Sequence, residues 1–393
     1  METLNPKKSN FEGYTELKTA LLITRNLPPL IGGMERLVWH IADAINERYR
    51  LIVVGPPGCS THLPDDVIVQ EVPISPLWRL LLNSAFHASR LVRAFKPQIV
   101  FCGSGLMAPI AYIAARSTDV KKFVYLHGLD VEVDNFMYQS LWPFFFRKMD
   151  KVLVNSHFTR ELALSKGVDD AKITIIHPGV TLPDLSHKAT ASRTFRDRYG
   201  LGGIPLMLYV GRITKRKGLG IFVERILPEI IKKCNEAKLI VIGDEPKGGL
   251  LENKGEIERV KNLIRVNGFE ERVLFLGARP HDHPELSEAY FAADVLIFPV
   301  QELPGDNEGF GMVAIEAAAH GTPTVAFKAG GVTDAVKDGV SGFLVPAGDT
   351  WHFSEQVINI LTARCKLPAA LVRSFADSFG WRSFTANFLH TLC

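Results

Sequence analysis

Two glutamates and two glycines lie close together in the second half of the sequence. Residues 308–316 read Glu-Gly-Phe-Gly-Met-Val-Ala-Ile-Glu, and residues 312–319 have the Ala-rich composition of a helix. The free N–H groups of a helix's first turn attract an anion, and a carboxylate on either side can accept hydrogen bonds from hydroxyl groups. Glu308 and Glu316 therefore indicate a site for a phosphate that carries sugar or ribose hydroxyls. A capped core helix with two incidental glutamates is the alternative.

Basic residues follow the predicted strand at residues 206–210. Gly211 and Arg212 follow the strand, and Lys217 precedes Gly218. A guanidinium can bind two phosphate oxygens, and an ammonium adds a point charge. We predict that Arg212 and Lys217 bind a diphosphate, whereas we expect Lys215 and Arg216 to lie in a solvated loop.

A histidine and a pair of glycines end two predicted strands of the first half. His127 follows the strand at residues 122–126, where it would face a ligand cleft, although a structural histidine is the alternative. Gly32 and Gly33 follow the strand at residues 19–24 and would allow a phosphate or sugar to approach closely. Alone this signal is weak, because any turn from strand to helix can carry glycine.

Short apolar strands alternate with amphipathic helices along both halves of the chain. The other predicted strands are 51–54, 98–102, 151–154, 237–242, 273–276, 295–298, 324–327 and 342–345, and the other predicted helices are 34–48, 77–95, 107–116 and 221–233. This alternation predicts parallel sheets covered on both faces. We expect an α/β fold with two doubly wound, Rossmann-like domains, 1–183 and 197–379. The polar stretch 184–196 would link them, and the ligand would bind in the cleft between them.

The composition excludes several classes of protein. The chain has 393 residues, 47% hydrophobic and 22% charged, with a net charge of +3, which argues against disorder and against a nucleic-acid binder driven by bulk charge. No apolar run is long enough to span a membrane, and residues 1–18 lack the apolar core of a signal peptide. The 5 cysteines form no C-x-x-C pair, so we expect reduced thiols, no structural zinc and a cytoplasmic location.

Taken together, these motifs resemble the retaining glycosyltransferases of family 4, which have the GT-B fold. The resemblance extends from about residue 21 to residue 389 and is most specific in the second half. It rests on Gly32-Gly33, His127-Gly128, Gly211-Arg212, Lys217-Gly218, Glu308 and Glu316 in E-x7-E spacing, Ala329-Gly330-Gly331 before Asp334, Asp294 before residues 296–299, and residues 339–346.

The resemblance implies roles for individual residues. The implied catalytic residues are His127, Glu308, Arg212 and Lys217. The implied donor-binding residues are Gly33, Arg212, Lys217, Arg279, Glu308, Gly309, Phe310, Gly311, Met312 and Glu316. Among these, Glu308 would bind donor-sugar hydroxyls, Glu316 the ribose and Arg279 the base, while His127 would contact the sugar near the reacting carbon. Residues 380–393 would cross back to the first domain.

The resemblance also implies a reaction. We expect a metal-independent, retaining hexosyltransferase that moves a hexose or deoxyhexose from a GDP- or UDP-linked sugar to a glycan or lipid-linked acceptor, as in polysaccharide or lipopolysaccharide synthesis. The sequence has no Asp-x-Asp triplet, the sign of a metal-held diphosphate, so no metal or other cofactor is expected. A sugar-nucleotide epimerase of GT-B architecture and a catalytically inactive sugar-nucleotide-binding subunit are the alternatives. His281-Asp282-His283 matches no tight zinc pattern and is expected to be a surface loop.

Cations and large apolar residues alternate in residues 77–95 and 141–148. The first segment contains Arg79, Arg90 and Arg93, and the second ends in Arg147 and Lys148 beside three phenylalanines. Such a surface suits an anionic membrane, whereas core packing with a solvated rim is the alternative. The membrane hypothesis would place the protein on the inner face of the plasma membrane and make its acceptor lipid-linked.

Overall fold

Two parallel sheets form the framework of the protein in the computed structural model, which describes residues 18–245 and 255–392. The first sheet has seven strands in the order β3-β2-β1-β4-β5-β6-β7, and the second has six in the order β10-β9-β8-β11-β12-β13. Helices cover both faces of each sheet, so the predicted pair of doubly wound domains is confirmed. The N-terminal segment considered above lies outside the described residues except for Lys18.

The first domain alternates strands and helices from its first described residues. Its strands are β1 (Thr19–Ile23), β2 (Arg50–Gly55), β3 (Ile68–Glu71), β4 (Ile99–Cys102), β5 (Lys121–Leu126), β6 (Lys151–Val154) and β7 (Ile173–Ile175). Its helices are α1 (Gly33–Asn46), α2 (Leu77–Phe95), α3 (Ala108–Ala115), α4 (Leu129–Glu132), α5 (Phe136–Arg147) and α6 (His157–Ser165). The edge strands β3 and β7 are only half-buried and were not predicted.

The second domain repeats this arrangement. Its strands are β8 (Leu206–Val210), β9 (Lys238–Ile242), β10 (Val273–Gly277), β11 (Val295–Phe298), β12 (Thr324–Phe327) and β13 (Gly342–Val345). Its helices are α7 (Lys188–Arg198), α8 (Leu219–Ile221), α9 (Leu227–Lys233), α10 (Glu256–Val266), α11 (Pro284–Ala292), α12 (Met312–Ala319), α13 (Val332–Ala335), α14 (Thr350–Leu361) and α15 (Ala369–Asp377), and a last helix, α16 (Trp381–Thr391), follows them. A π-helical turn, Phe222–Ile226, joins α8 to α9.

Most of the predicted linker, 184–196, is folded. Residues 188–196 belong to α7, and Phe195 is buried in one core cluster with Leu206 and Leu208 of β8. The segment is therefore part of the second domain. The sequence of residues 184–196 resembles that of a polar linker because Phe195 is the only buried side chain in the segment.

The last helix, α16, lies against the first domain. Phe384 and Phe388 belong to its core cluster, where the Phe388 and Phe101 ring centroids are 5.4 Å apart. Trp381 stacks on His40 of α1, with 3.5 Å between ring centroids. Of the helices in the described ranges, none is both long enough and apolar enough to cross a bilayer.

Candidate active site

The loops that follow β5 and β11 touch each other across the domain boundary. A Cβ atom on Gly309 would lie 1.9 Å from the carbonyl oxygen of His127, so no side chain fits there. Gly128 approaches the same glycine and has a φ of +100°, in the region that favours glycine. The Ser156 hydroxyl donates a hydrogen bond to the Gly309 carbonyl at 2.6 Å. The segment that precedes α12 is thus fixed against the first domain.

A largely buried cluster of two cations and two carboxylates lies beside this contact. Arg216 pairs with Asp306, with 2.8 Å between Nε and Oδ1, and its guanidinium also contacts Glu308. Lys217 Nζ lies 2.8 Å from Glu308 Oε2 and 5.1 Å from the centroid of the Phe298 ring. Arg216 is only 4% exposed, so its expected place in a solvated loop is wrong: a cation can be buried here because two carboxylates neutralise it.

Burial and charge act in opposite directions on the ionisation of this cluster. Burial alone would raise the pKa of Glu308, but the positive charges of Lys217 and Arg216 outweigh it and lower that pKa to about 2. Burial lowers the pKa of Lys217 to about 8, because loss of hydration and the nearby arginines exceed the attraction of Glu308. At neutral pH Glu308 is therefore a carboxylate, which accepts hydrogen bonds, and Lys217 keeps most of its charge.

Arg212 differs from Arg216 and Lys217 because its side chain is exposed. Its carbonyl accepts a hydrogen bond from the Tyr209 hydroxyl at 3.0 Å, which fixes the backbone at the end of β8. Within residues 18–245 and 255–392 its guanidinium has neither a hydrogen bond nor an ion pair. Its backbone is thus held at the end of β8, and its guanidinium is available to an anionic ligand.

Glu316 is held by residues of both domains. Arg36 Nη1 of α1 lies 2.7 Å from Glu316 Oε1, and the Tyr290 hydroxyl donates to Oε2 at 2.9 Å. Arg36 also donates to the Thr181 hydroxyl at 2.8 Å and lies over the Trp381 ring. The carboxylate that was predicted to bind a ribose is therefore occupied by Arg36 and Tyr290. Its contact with Arg36 joins the two domains across the cleft.

The glycines predicted to bind the donor surround the first turn of α12. A Cβ atom on Gly33 would lie 3.0 Å from Met312 Sδ, so Gly33 faces the start of this helix across the cleft. Gly311, with a φ of +103°, precedes the helix. The Phe310 side chain is buried and stacks on His177, so only its backbone can contribute to a site there.

His127 is buried at the end of β5. Its Nε2 lies 2.8 Å from the Gly103 carbonyl oxygen, and its backbone N–H donates to Asp130 Oδ1 at 2.8 Å. If Nε2 carries the proton, the side chain can accept a further hydrogen bond only through Nδ1. The contact with Gly103 gives this histidine the structural role that was the alternative in the sequence analysis. If His127 also contacts a sugar, it would do so through Nδ1.

Arg279 lies away from the buried cluster. Its guanidinium contacts Glu285 of α11, a carboxylate that also accepts a hydrogen bond from Tyr199 at 2.5 Å. Among the described residues, Arg279 makes no hydrogen bond or ion pair with Arg212, Lys217 or Glu308. To contact a nucleotide base, the Arg279 guanidinium would have to bind the base and Glu285 at the same time.

Several residues of the cleft were not predicted. Arg36 lies in the first turn of α1, three residues after Gly33, and Tyr290 occupies a helix with no special spacing. Asn155 donates to the His127 carbonyl at 2.9 Å, and Ser156 follows it in the chain. The Asn-Ser pair at the end of β6 is a usable signal, because polar residues there face the ligand edge of a parallel sheet.

Comparison with known proteins identifies the family. Residues 204–363 match the family described as Glycosyl transferases group 1, and residues 31–183 match Glycosyltransferase Family 4. The GDP-mannose-dependent alpha-(1-6)-phosphatidylinositol monomannoside mannosyltransferase of Mycolicibacterium smegmatis is 26% identical over 385 residues, 95% of this chain and 97% of that protein. The D-inositol 3-phosphate glycosyltransferase of Xylanimonas cellulosilytica is 34% identical over 57% of this chain, a match that spans about half (51%) of that protein.

Solved structures share the fold. The Anabaena protein HepE in complex with UDP-glucose has a TM-score of 0.77 and 20% identity, covering 95% of this chain and 99% of that chain. A glycosyltransferase from Rickettsia africae has the same TM-score and identity and covers 95% and 97%. The chain belongs to the group 1 glycosyltransferases of family 4, with the GT-B fold, and we conclude that it is a glycosyltransferase.

The buried cation makes a prediction about stability. Replacing Arg216 with Ala leaves Asp306 without its cation and removes one of the two on Glu308, so the free energy of unfolding should fall by about 3 kcal/mol. Lys215→Ala is the matched control: the neighbouring side chain is exposed, and the change should stay within about 0.5 kcal/mol. Urea unfolding followed by circular dichroism measures both. Equal stabilities for the two variants would show that the buried cluster contributes nothing.

Proposed function

We propose that this glycosyltransferase transfers a hexose or deoxyhexose from a nucleoside-diphosphate sugar to a lipid-linked acceptor, with retention of configuration and without a metal ion. The observation that carries the proposal is the Arg212 guanidinium, which pairs with no residue of the described ranges, beside the largely buried Lys217, in a cleft that also contains Glu308 and Glu316. Two cations match a diphosphate, and two carboxylates match the hydroxyls of a sugar and a ribose.

The diphosphate would bind to Arg212 and Lys217. Breaking the bond between sugar and diphosphate develops negative charge on the departing phosphate, and fixed positive groups in a water-poor site stabilise that charge. Arg212 needs no rearrangement of other side chains, because nothing in the described part of the chain pairs with it. These two cations would take the place of a metal ion.

The sugar would be bound through one oxygen of Glu308. Arg216 and Lys217 both contact Oε2, whereas Oε1 has no hydrogen bond to any described residue. A carboxylate with one oxygen neutralised by two cations is a poor nucleophile but can still accept a hydroxyl hydrogen bond through the other. This supports attack by the acceptor on the face that the leaving group vacates, with the departing phosphate taking the acceptor's proton.

The ribose would replace Arg36 on Glu316. The carboxylate already accepts a hydrogen bond from Tyr290 on its other oxygen, so its orientation would persist when Arg36 leaves. The relative that matches nearly the whole chain is named as GDP-mannose-dependent, and a solved neighbour holds UDP-glucose. We therefore propose a GDP-linked, mannose-like donor first and a UDP-linked hexose second.

The acceptor would reach the first domain from a membrane surface. On α2, Trp78, Leu82 and Phe86 follow one another at helical spacing and are 58%, 64% and 65% exposed. Exposed apolar residues continue on the adjoining helices with Ile113, Phe136, Met137, Leu141 and Phe144. Arg79, Arg90 and Arg93 are exposed on the same helix as the first three. Apolar side chains beside cations suit the interface of an anionic bilayer.

A nucleotide screen tests the proposed donor. Among UDP, GDP, ADP and their sugars, one nucleotide should raise the melting temperature of the protein, and Glu316→Ala should reduce that rise. Arg212→Ala should weaken this nucleotide roughly ten- to hundredfold, the loss of a charged hydrogen bond, without lowering the melting temperature of the free protein. Lys215→Ala is the control for charge. Turnover that is lost in EDTA and restored by Mg²⁺, the oxygen-preferring ion that would hold a diphosphate, would contradict the proposed mechanism, as would a product of inverted configuration by NMR.

The pKa of Lys217 predicts how donor binding depends on pH. A bound diphosphate raises this pKa above its free value of about 8, so affinity is fully present below pH 8 and falls as the pH rises toward the pKa in the complex. Calorimetric titrations with the nucleotide sugar between about pH 7.5 and pH 9 measure the slope. Lys217→Arg keeps the charge and should bind with little pH dependence. The same slope in both proteins would show that Lys217 does not contact the diphosphate.

Charge reversal tests the membrane surface. Changing Arg79, Arg90 and Arg93 to Glu should weaken binding to phosphatidylglycerol vesicles by about 1 kcal/mol or more per residue. The control reverses three exposed cations of the second domain, Arg225, Lys232 and Arg265, which changes the net charge equally. Vesicle sedimentation measures both. Equal losses in the two variants would show that bulk charge, and not this surface, governs binding.

A further inference from the structure

Two histidines of the first domain and an aspartate of the second lie together at the domain boundary. His157 begins α6, His177 follows β7, and Asp334 lies in α13. One ligand atom from each of the three lies within 4.8 Å of the others. His157 Nδ1 is 2.9 Å and His177 Nδ1 is 3.7 Å from the same Asp334 Oδ2 atom. Three metal-binding side chains from two domains therefore converge on one point.

The distances and the types of side chain suit a transition metal. Two imidazoles and a carboxylate favour Zn²⁺, Co²⁺, Ni²⁺ or Cu²⁺ over Mg²⁺, which prefers oxygen ligands. Ligands at about 2.0–2.1 Å from a tetrahedral zinc ion are roughly 3.3 Å apart, and the two nitrogen–oxygen distances lie on either side of that value. His157 is 70% exposed, so an ion can enter from solvent and keep water in its open positions.

The surroundings hold two of the three side chains in place. Asp334 is buried, and its Oδ2 also accepts the backbone N–H of His157 at 2.8 Å. The His177 ring packs against Phe310 and Phe379, at 5.4 and 5.6 Å between centroids. Its Nδ1 lies 3.0 Å from the Asn155 carbonyl oxygen, a contact that it would release to bind a metal through that atom. Fixed neighbours of this kind orient metal ligands.

We propose that His157, His177 and Asp334 form a binding site for one divalent transition-metal ion that clamps the two domains together. Because the ligands come from both domains, the ion binds the closed cleft and loses a ligand when the cleft opens. The site is separate from the diphosphate, which Arg212 and Lys217 would bind without metal. It adds control of domain opening to the proposed transfer reaction and does not depend on it.

Metal titration of the untagged full chain tests the site. After EDTA treatment and desalting, Co²⁺ should bind one ion per chain with visible absorption, and Zn²⁺ should displace it. His157→Asn and His177→Asn should each weaken Zn²⁺ at least tenfold in calorimetry. The matched control is His352→Asn, because His352 Nδ1 also pairs with an aspartate, Asp349, at 2.5 Å, but among the described residues this pair has no third ligand beside it. All variants keep every cysteine, so equal affinities in all four proteins would mean binding elsewhere and would overturn the proposal.

Small-angle X-ray scattering tests whether the bound metal ion holds the two domains together. Zn²⁺ should reduce the radius of gyration of the wild-type chain and leave that of His157→Asn unchanged. His157 is exposed, so this variant should keep the melting temperature of the wild type. Zinc that binds through these histidines without changing the radius of gyration would disprove the clamp. Neither measurement uses a sugar donor, so failure here leaves the proposed transferase reaction standing.

Discussion

The ionised carboxylate of Glu308 depends on two cations, and much of the cleft follows from that requirement. A charge removed from water is tolerated only when it is paired. Arg216 and Lys217 both contact one oxygen of this carboxylate, and Arg216 is itself neutralised by Asp306 in the same loop. The pairing fixes the loop between β11 and α12 and leaves the other carboxylate oxygen for a ligand. Because Arg216 is paired with Asp306 and Glu308, it is not available to bind a diphosphate. Arg212 remains available, and Lys217 is available in part.

Glycine sets the second constraint, because the domains meet through backbone. The Gly309 position and the His127 carbonyl are too close for any side chain, and Gly33 lies against Met312 on the opposite side of the cleft. Such contacts are short in range, so they position the first turn of α12 accurately without filling the space that a ligand needs. The polar contacts around them, from Ser156 and Asn155, satisfy the carbonyl groups that the contact buries.

The fold was predictable because the strands are buried on both faces. Continuous apolar runs such as residues 206–210 and 295–298 indicate buried strands. Segments with the 3.6-residue hydrophobic period of helices separate these runs. The edge strands β3 and β7 were missed because they are half-buried and carry no such run. Residues 184–196 were misread because a helix with one buried aromatic side chain looks like a polar linker.

The site was predictable only where its chemistry lies in one short segment. Glu308, Gly309 and Gly311 stand together in the sequence, as do Arg212 and Lys217. By contrast, the sequence does not distinguish the three consecutive basic residues 215–217 from one another. Arg216 is buried because it pairs with Glu308, which lies 92 residues further along the chain. Arg36 and Glu316 are 280 residues apart. The cluster of His157, His177 and Asp334 exists only once the domains have come together. Long-range pairing of charges leaves no local pattern, so sequence alone cannot place it.

The contact between Arg36 and Glu316 connects closure of the cleft to its ligand. Arg36 is fixed by the Thr181 hydroxyl and the Trp381 ring, so it reaches Glu316 only when α1 and α12 are close together. A ribose that binds Glu316 must displace a charged hydrogen bond worth about 1.5–3 kcal/mol, and its two hydroxyls replace that bond on the same carboxylate with only a small gain. Contacts of the diphosphate with Arg212 and Lys217 would have to supply most of the affinity. A nucleoside without phosphates therefore lacks the interactions needed to displace Arg36, and recognition of the ribose depends on the charge that accompanies it.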